Sequence, residues 1–102
     1  MKRTFVAIVE RTSKWDKAKP PQDQDGFGAH ATYMGDLEAE GFIALAGLFQ
    51  PSNDVLFILQ ADSEDEVQTR LGQDPWRQDG HTKLVRLEEI NIRTWAPTQG
   101  AA

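Results

Sequence analysis

The chain has 102 residues, 39% hydrophobic and 26% charged, with a formal net charge of −5 and no cysteine. This is the balance of one globular domain rather than a disordered segment, and the lack of cysteine excludes disulfides, thiolate metal sites and a cysteine nucleophile. The acidic balance, with Lys2, Arg3, Lys14, Lys17 and Lys19 too scattered to form a basic patch, argues against nucleic acid and anionic membranes as partners.

The N-terminus starts basic, but its apolar run stops at Glu10-Arg11. That is too short for a signal peptide, and no stretch approaches the ~20 apolar residues of a membrane span. The expectation is a cytoplasmic protein, which the missing cysteine fits. A chain this short buries only about 60–70% of its unfolded surface, so association would help it.

Thr4 to Glu10 is β-branched and apolar and predicts a first strand. Arg11 to Gln22, with Pro20 and Pro21, predicts a polar loop carrying an exposed aromatic, Trp15. Asp23 or Asp25 is placed to cap a helix running to about Glu40, with Gly41 as its C′ residue. Phe42 to Phe49 predicts a second strand, Gln50 to Asp54 a hairpin-type turn, and Val55 to Ala61 a third strand. Ser63 and Glu66 have capping-box spacing and open a short helix that Gly72 stops. Gln73 to His81 predicts a loop around Asp74-Pro75-Trp76, with His81 exposed after Gly80. Leu84 to Trp95 predicts a final strand, bulged near Glu88-Glu89 where the alternation slips. Residues 1–95 thus form one domain and 96–102 a loose tail.

This β-α-β-β-α-β order predicts an α+β, ferredoxin-like fold, a four-stranded antiparallel sheet with two helices on one face. A bare second face should alternate apolar and polar residues. Here Phe5, Ala7 and Val9 oppose Val6 and Ile8, and Val55, Phe57 and Leu59 oppose Leu56 and Ile58. Both faces are apolar. The expected cover for the second is another copy of the chain, giving a homodimer through the sheet. A cavity-lining face that binds an apolar ligand is the alternative.

On the first helix, Phe27, His30, Met34 and Leu37 fall within an arc of roughly 80° at ~100° per residue. An ionisable ring is therefore aimed where a helix normally buries hydrocarbon. Imidazole exchanges protons near neutrality, and a carboxylate bonded to one ring nitrogen fixes the tautomer and aims the other. Asp74 meets that need if its turn folds against the helix. Pro75 biases Asp74 toward an extended backbone. In the catalytic reading His30 is general base or acid and Asp74 orients it. Met34 and Trp76 line the site, and Tyr33 or backbone amides near Gly47 bind a developing oxyanion. Each feature also has a purely structural reading: a core histidine bonded to a carbonyl, an aspartate capping its own turn, and aromatic residues that only pack.

Gly26-Phe27-Gly28 lacks the third glycine and preceding strand of a nucleotide fingerprint. Two histidines without a clear third ligand give little basis for a metal. No metal or cofactor is expected.

The pattern resembles the YCII-related family of dimeric α–β barrel proteins. The matching pieces are His30-Ala31-Thr32-Tyr33-Met34 with Leu37 and Gly41, then Ala46-Gly47, Asp74-Pro75-Trp76 with Gly80, and Ile92-Arg93-Thr94-Trp95. The resemblance implies a ferredoxin-like dimer with a pocket between sheet and first helix, and a histidine–aspartate pair at His30 and Asp74. An acid–base set of this kind suits cofactor-independent proton transfer, isomerisation or elimination on a small, cyclic or aromatic metabolite. A non-catalytic ligand-binding or accessory module is the alternative.

Overall fold

The computed structural model describes residues 1–96. Four strands, β1 (Arg3–Arg11), β2 (Ile43–Leu48), β3 (Val55–Ala61) and β4 (Thr82–Glu89), form an antiparallel sheet in the order β2-β3-β1-β4. Helix α1 (Phe27–Ala39) connects β1 to β2. Helix α2 (Glu64–Gly72) and a single turn, α3 (Pro75–Gln78), connect β3 to β4. This α+β arrangement is compatible with a ferredoxin-like fold. Of the tail expected at 96–102, everything from residue 97 lies outside the described residues.

Alternation decides which side of the sheet is covered. Phe5, Ala7 and Val9 pair across from Leu59, Phe57 and Val55. With Leu37 of α1 and Val67 and Leu71 of α2, most of these residues build the core, and Phe5, Leu37, Leu59 and Val67 are fully buried. Each such side chain contributes roughly 1.5–3 kcal/mol. The opposite face carries Val6, Ile8, Leu56 and Ile58, all only half-buried.

Helix ends explain several boundaries. At the end of α1, the Phe42 N–H donates to the Leu37 carbonyl and the Gly41 N–H to the Glu38 carbonyl, with Gly41 at φ 81°. This is a Schellman motif, and its usual hydrophobic contact is supplied by core residues Leu37 and Phe42. The Ser63 hydroxyl accepts from the Glu66 N–H at the start of α2, while the Glu66 carboxylate accepts from the Asp62 N–H at 2.7 Å. The expected capping box is thus present on one side and shifted by one residue on the other.

Four expectations are corrected. The first residue of α1 is preceded by Gly26, at φ 78° with no side-chain cap, rather than by a capping Asp23 or Asp25. The chain arrives through a 3-10 turn at Pro21–Asp23 and must bend sharply past Trp76, a bend glycine supplies. The region after α2 is not all loop, because Asp74 caps α3 and Pro75 fills its first position. The last strand stops at Glu89, opposite Phe5, with one further backbone bond from the Ile90 N–H to the Thr4 carbonyl, so Ile92 to Trp95 lie outside the sheet. Its bulge is at Val85, opposite the step from Ile8 to Val9, and not at Glu88-Glu89.

Two alanine substitutions test this reading of α1. Gly35 is mid-helix with open space where a Cβ would point, so Gly35→Ala should stabilise the fold by about 0.5–1 kcal/mol. Gly41 also has open space but a positive φ, so Gly41→Ala should destabilise it by about 1–2 kcal/mol. Urea melts giving both changes the same sign would refute the Schellman assignment.

Candidate active site

Asp74 leaves α2 in an extended conformation, φ −60° and ψ 125°, as the following proline requires. Its Oδ1 accepts from the Trp76 N–H at 3.0 Å and lies 2.7 Å from His30 Nδ1. A carboxylate only accepts, so the proton sits on Nδ1 of neutral His30 and Nε2 carries the lone pair. The His30 and Asp74 side chains are 19% and 11% exposed. Both are largely shielded, yet the ring remains reachable. The Trp76 ring stacks on the imidazole, with centroids 3.8 Å apart and planes 17° apart. Its indole N–H donates to the Asp25 carbonyl at 2.8 Å, which ties α3 to the approach to α1.

These groups border a cavity of about 300 Å³ between the core face of the sheet and the helices. Phe27, His30 and Met34 enter from α1, Asp74 and Trp76 from α3 and its cap, and Val9, Val55 and Phe57 from the sheet. The apolar stripe of α1 therefore carries His30 to the cavity wall, and the structure brings His30, Asp74, Met34 and Trp76 together.

Tyr33 and Gly47 are not brought there. The Tyr33 hydroxyl donates to the Arg70 carbonyl at 2.7 Å and lies 3.2 Å from Gln73 Oε1, joining α1 to the end of α2. Burial raises the Tyr33 pKa above its ordinary value, with the Arg70 charge acting in the opposite direction. Gly47 pairs across from Leu56 on the other side of the sheet, while its neighbours Ala46 and Leu48 line the cavity.

Two residues expected at the surface are buried. Trp15, 7% exposed, meets Trp76 edge-on with centroids 4.9 Å apart, and the Arg11 guanidinium covers its ring at 4.0 Å. His81, 5% exposed, packs near both indoles, and its Nδ1 lies 2.6 Å from Asp79 Oδ1. The only sequence signal was Asp79-Gly80-His81, a spacing that lets the aspartate fold back on the histidine. Gly80 at φ 90° makes that return. Among the described residues no three histidine, aspartate or glutamate side chains converge as metal ligands.

No family model matches the chain, and no curated protein matches it.

The second pair has a pH consequence. Burial pulls the Asp79 carboxyl upward, but hydrogen bonds from the His81 side chain and backbone, with the charges of His81 and Lys14, outweigh it and hold it below its ordinary value. The folded protein therefore releases this proton more readily than the unfolded chain. The resulting stability is present above the ordinary carboxylate range and drains away as pH falls below about 4. Asp79 is 35% exposed, so screening keeps the effect small. Asp79→Asn should cost about 1 kcal/mol at neutral pH and progressively less toward pH 2. Urea melts across that range check it, and a loss independent of pH would contradict the assignment.

Proposed function

We propose that the chain is a YCII-related dimeric α–β barrel protein, a cytoplasmic homodimer whose cavity performs acid–base chemistry on a small cyclic or aromatic metabolite. One observation carries the reading: an imidazole held by a carboxylate at 2.7 Å on the wall of an otherwise mainly apolar cavity. With Nδ1–H given to Asp74, Nε2 has no hydrogen-bond partner among the described residues and is free to act as a general base. Once protonated, the imidazolium is stabilised by Asp74, and it returns the proton at another carbon or to a leaving group. That sequence suits proton transfer, isomerisation or elimination. Trp76 stacked on the ring fixes its plane and excludes water from one face.

The dual duty of Asp74, which also caps α3, favours one further reading. In it the pair is a structural clasp and the cavity only binds its ligand. Exchange of carbon-bound protons separates the two. A panel of small cyclic ketones and unsaturated lactones, followed by NMR in deuterated solvent, should contain at least one member exchanged by the protein. His30→Gln should slow that exchange roughly 10²–10⁴-fold, and Asp74→Asn by a smaller factor. Wild-type rates in both variants would end the catalytic reading.

Dimerisation is supported by the face that no helix among the described residues covers. Val6, Ile8, Leu56 and Ile58 form a half-buried apolar centre there, with Leu45 and Val85 exposed around it. A second copy about a two-fold axis places this patch against itself. Sedimentation equilibrium should give twice the 11.4 kDa of the chain. Ile58→Lys should yield a folded monomer, and a monomeric parent protein would refute the arrangement.

A further inference from the structure

The acid–base pair leaves one wall of the cavity without a role. Arg11 and Thr82 sit directly opposite each other across β1 and β4, on the face that also carries Val9 and Leu84. Both line the cavity. Directly opposed residues on one sheet face hold their Cβ atoms about 4.5–5.5 Å apart. Thr82 is 9% exposed, and its hydroxyl is buried with no hydrogen-bond partner among the described residues. Folded proteins rarely leave such a group unsatisfied, because it loses its water without replacement.

Arg11 is similarly uncommitted. Arg3, Arg70 and Arg86 each pair with a carboxylate. Arg11 has neither an ion pair nor a side-chain hydrogen bond among the described residues, and only stacks on Trp15. Burial holds its guanidinium below its ordinary pKa, with Asp54 acting the other way. Stacking fixes the plane of a guanidinium and leaves its N–H edge free to donate.

We infer that Arg11 and Thr82 form an anion subsite, and that the cavity takes a small organic carboxylate with an apolar, ring-sized body. This rests on the cavity being a ligand site, as proposed above, and not on catalysis by His30. The parallel N–H groups of a guanidinium edge match the two oxygens of a carboxylate. The Thr82 hydroxyl adds a third donor and gains its missing partner. Val9, Met34, Phe57 and Leu71 supply the apolar walls. About 300 Å³, roughly ten water volumes, suits one ring with short substituents. The acidic groups in the lining do not cancel the subsite. Glu10 is paired with Lys83, Asp74 is held by His30, and the lining carries a second guanidinium, Arg77, besides Arg11 against the one remaining carboxylate, Glu38.

Benzoate and its neutral counterpart benzamide are the probes, followed by NMR titration of backbone amides. Benzoate should bind saturably, shifting residues of β1 and β4 around Arg11 and Thr82, with benzamide at least about tenfold weaker. Arg11→Met should weaken benzoate about tenfold or more, whereas Arg86→Met, remote and paired to Glu88, should not change it. Thr82→Val should weaken benzoate a few-fold yet raise the melting temperature, because it deletes a hydroxyl that has no partner. Those opposite signs set a ligand group apart from a structural one, and Thr82→Val decides the matter if Arg11→Met does not fold. Absence of saturable shifts at roughly 10 mM benzoate, equal binding of benzamide, or a Thr82→Val protein with a lower melting temperature and unchanged affinity would each overturn the subsite. The readout is binding alone. A cavity that takes benzoate and turns nothing over leaves the subsite standing and overturns only the acid–base reading, whereas His30-dependent exchange without carboxylate preference does the reverse.

Discussion

One carboxylate oxygen organises the site. Asp74 Oδ1 accepts both the Trp76 N–H and His30 Nδ1–H, so the cap of α3 and the partner of the imidazole are the same atom. The turn of α3 cannot move without disturbing the histidine. Trp76 follows from that cap, since the turn it opens lays the indole flat on the imidazole. The indole N–H then reaches the Asp25 carbonyl, just before Gly26 turns the chain into α1. Cap, stack and hydrogen bond form a loop of constraints joining α1 and α3, and His30 lies inside it. Such an arrangement holds a ring nitrogen in fixed orientation without a long-range network, which is what pre-organised acid–base chemistry requires.

The parts of this picture legible in the sequence rest on local rules. The apolar stripe Phe27, His30, Met34 and Leu37 needs only the pitch of a helix, and it led to the cavity wall. Val55–Ala61 was bounded correctly because an apolar run between a turn and a capping serine has few other solutions. Asp74 with Pro75 read as a turn, and the proline fixed the conformation that lets the aspartate reach back to His30. The parts that were not legible depend on contacts distant in sequence. Trp15 looks exposed in a lysine- and proline-rich loop, and only the return of β4 brings Trp76 and His81 against it. Tyr33 sits one residue before Met34, but that single step rotates it toward Arg70 and away from the cavity.

Gly47 shows the same limit in a strand. Its neighbours reach the cavity and it does not, because β2 is phased by an irregularity that no pattern in the strand announces. Ile43 lies opposite Leu59 and Leu45 opposite Ile58, so Ala44 is the extra residue, and from there Ala46 and Leu48 share the cavity side. A shift of one residue in a strand exchanges its two faces completely, so a site residue read from alternation alone is vulnerable to one bulge.

The edge strand β4 carries the complementary bulge, and it decides the chemistry of the opposite wall. Leu87 lies across from Ala7 on the core face. Uninterrupted alternation from Leu87 would aim Val85 and Lys83 at the cavity and turn Leu84 and Thr82 outward. The extra residue at Val85 reverses this: Leu84 meets Val9, Thr82 meets Arg11, and Lys83 goes to the other face with Glu10. A lysine is thereby removed from the cavity, a hydroxyl is placed beside the uncommitted guanidinium, and Val85 is left exposed on the apolar second face. The inner site and the outer patch are thus not independent features of the sheet. One inserted residue in an edge strand sets both, as expected where bulges re-aim side chains beside functional sites.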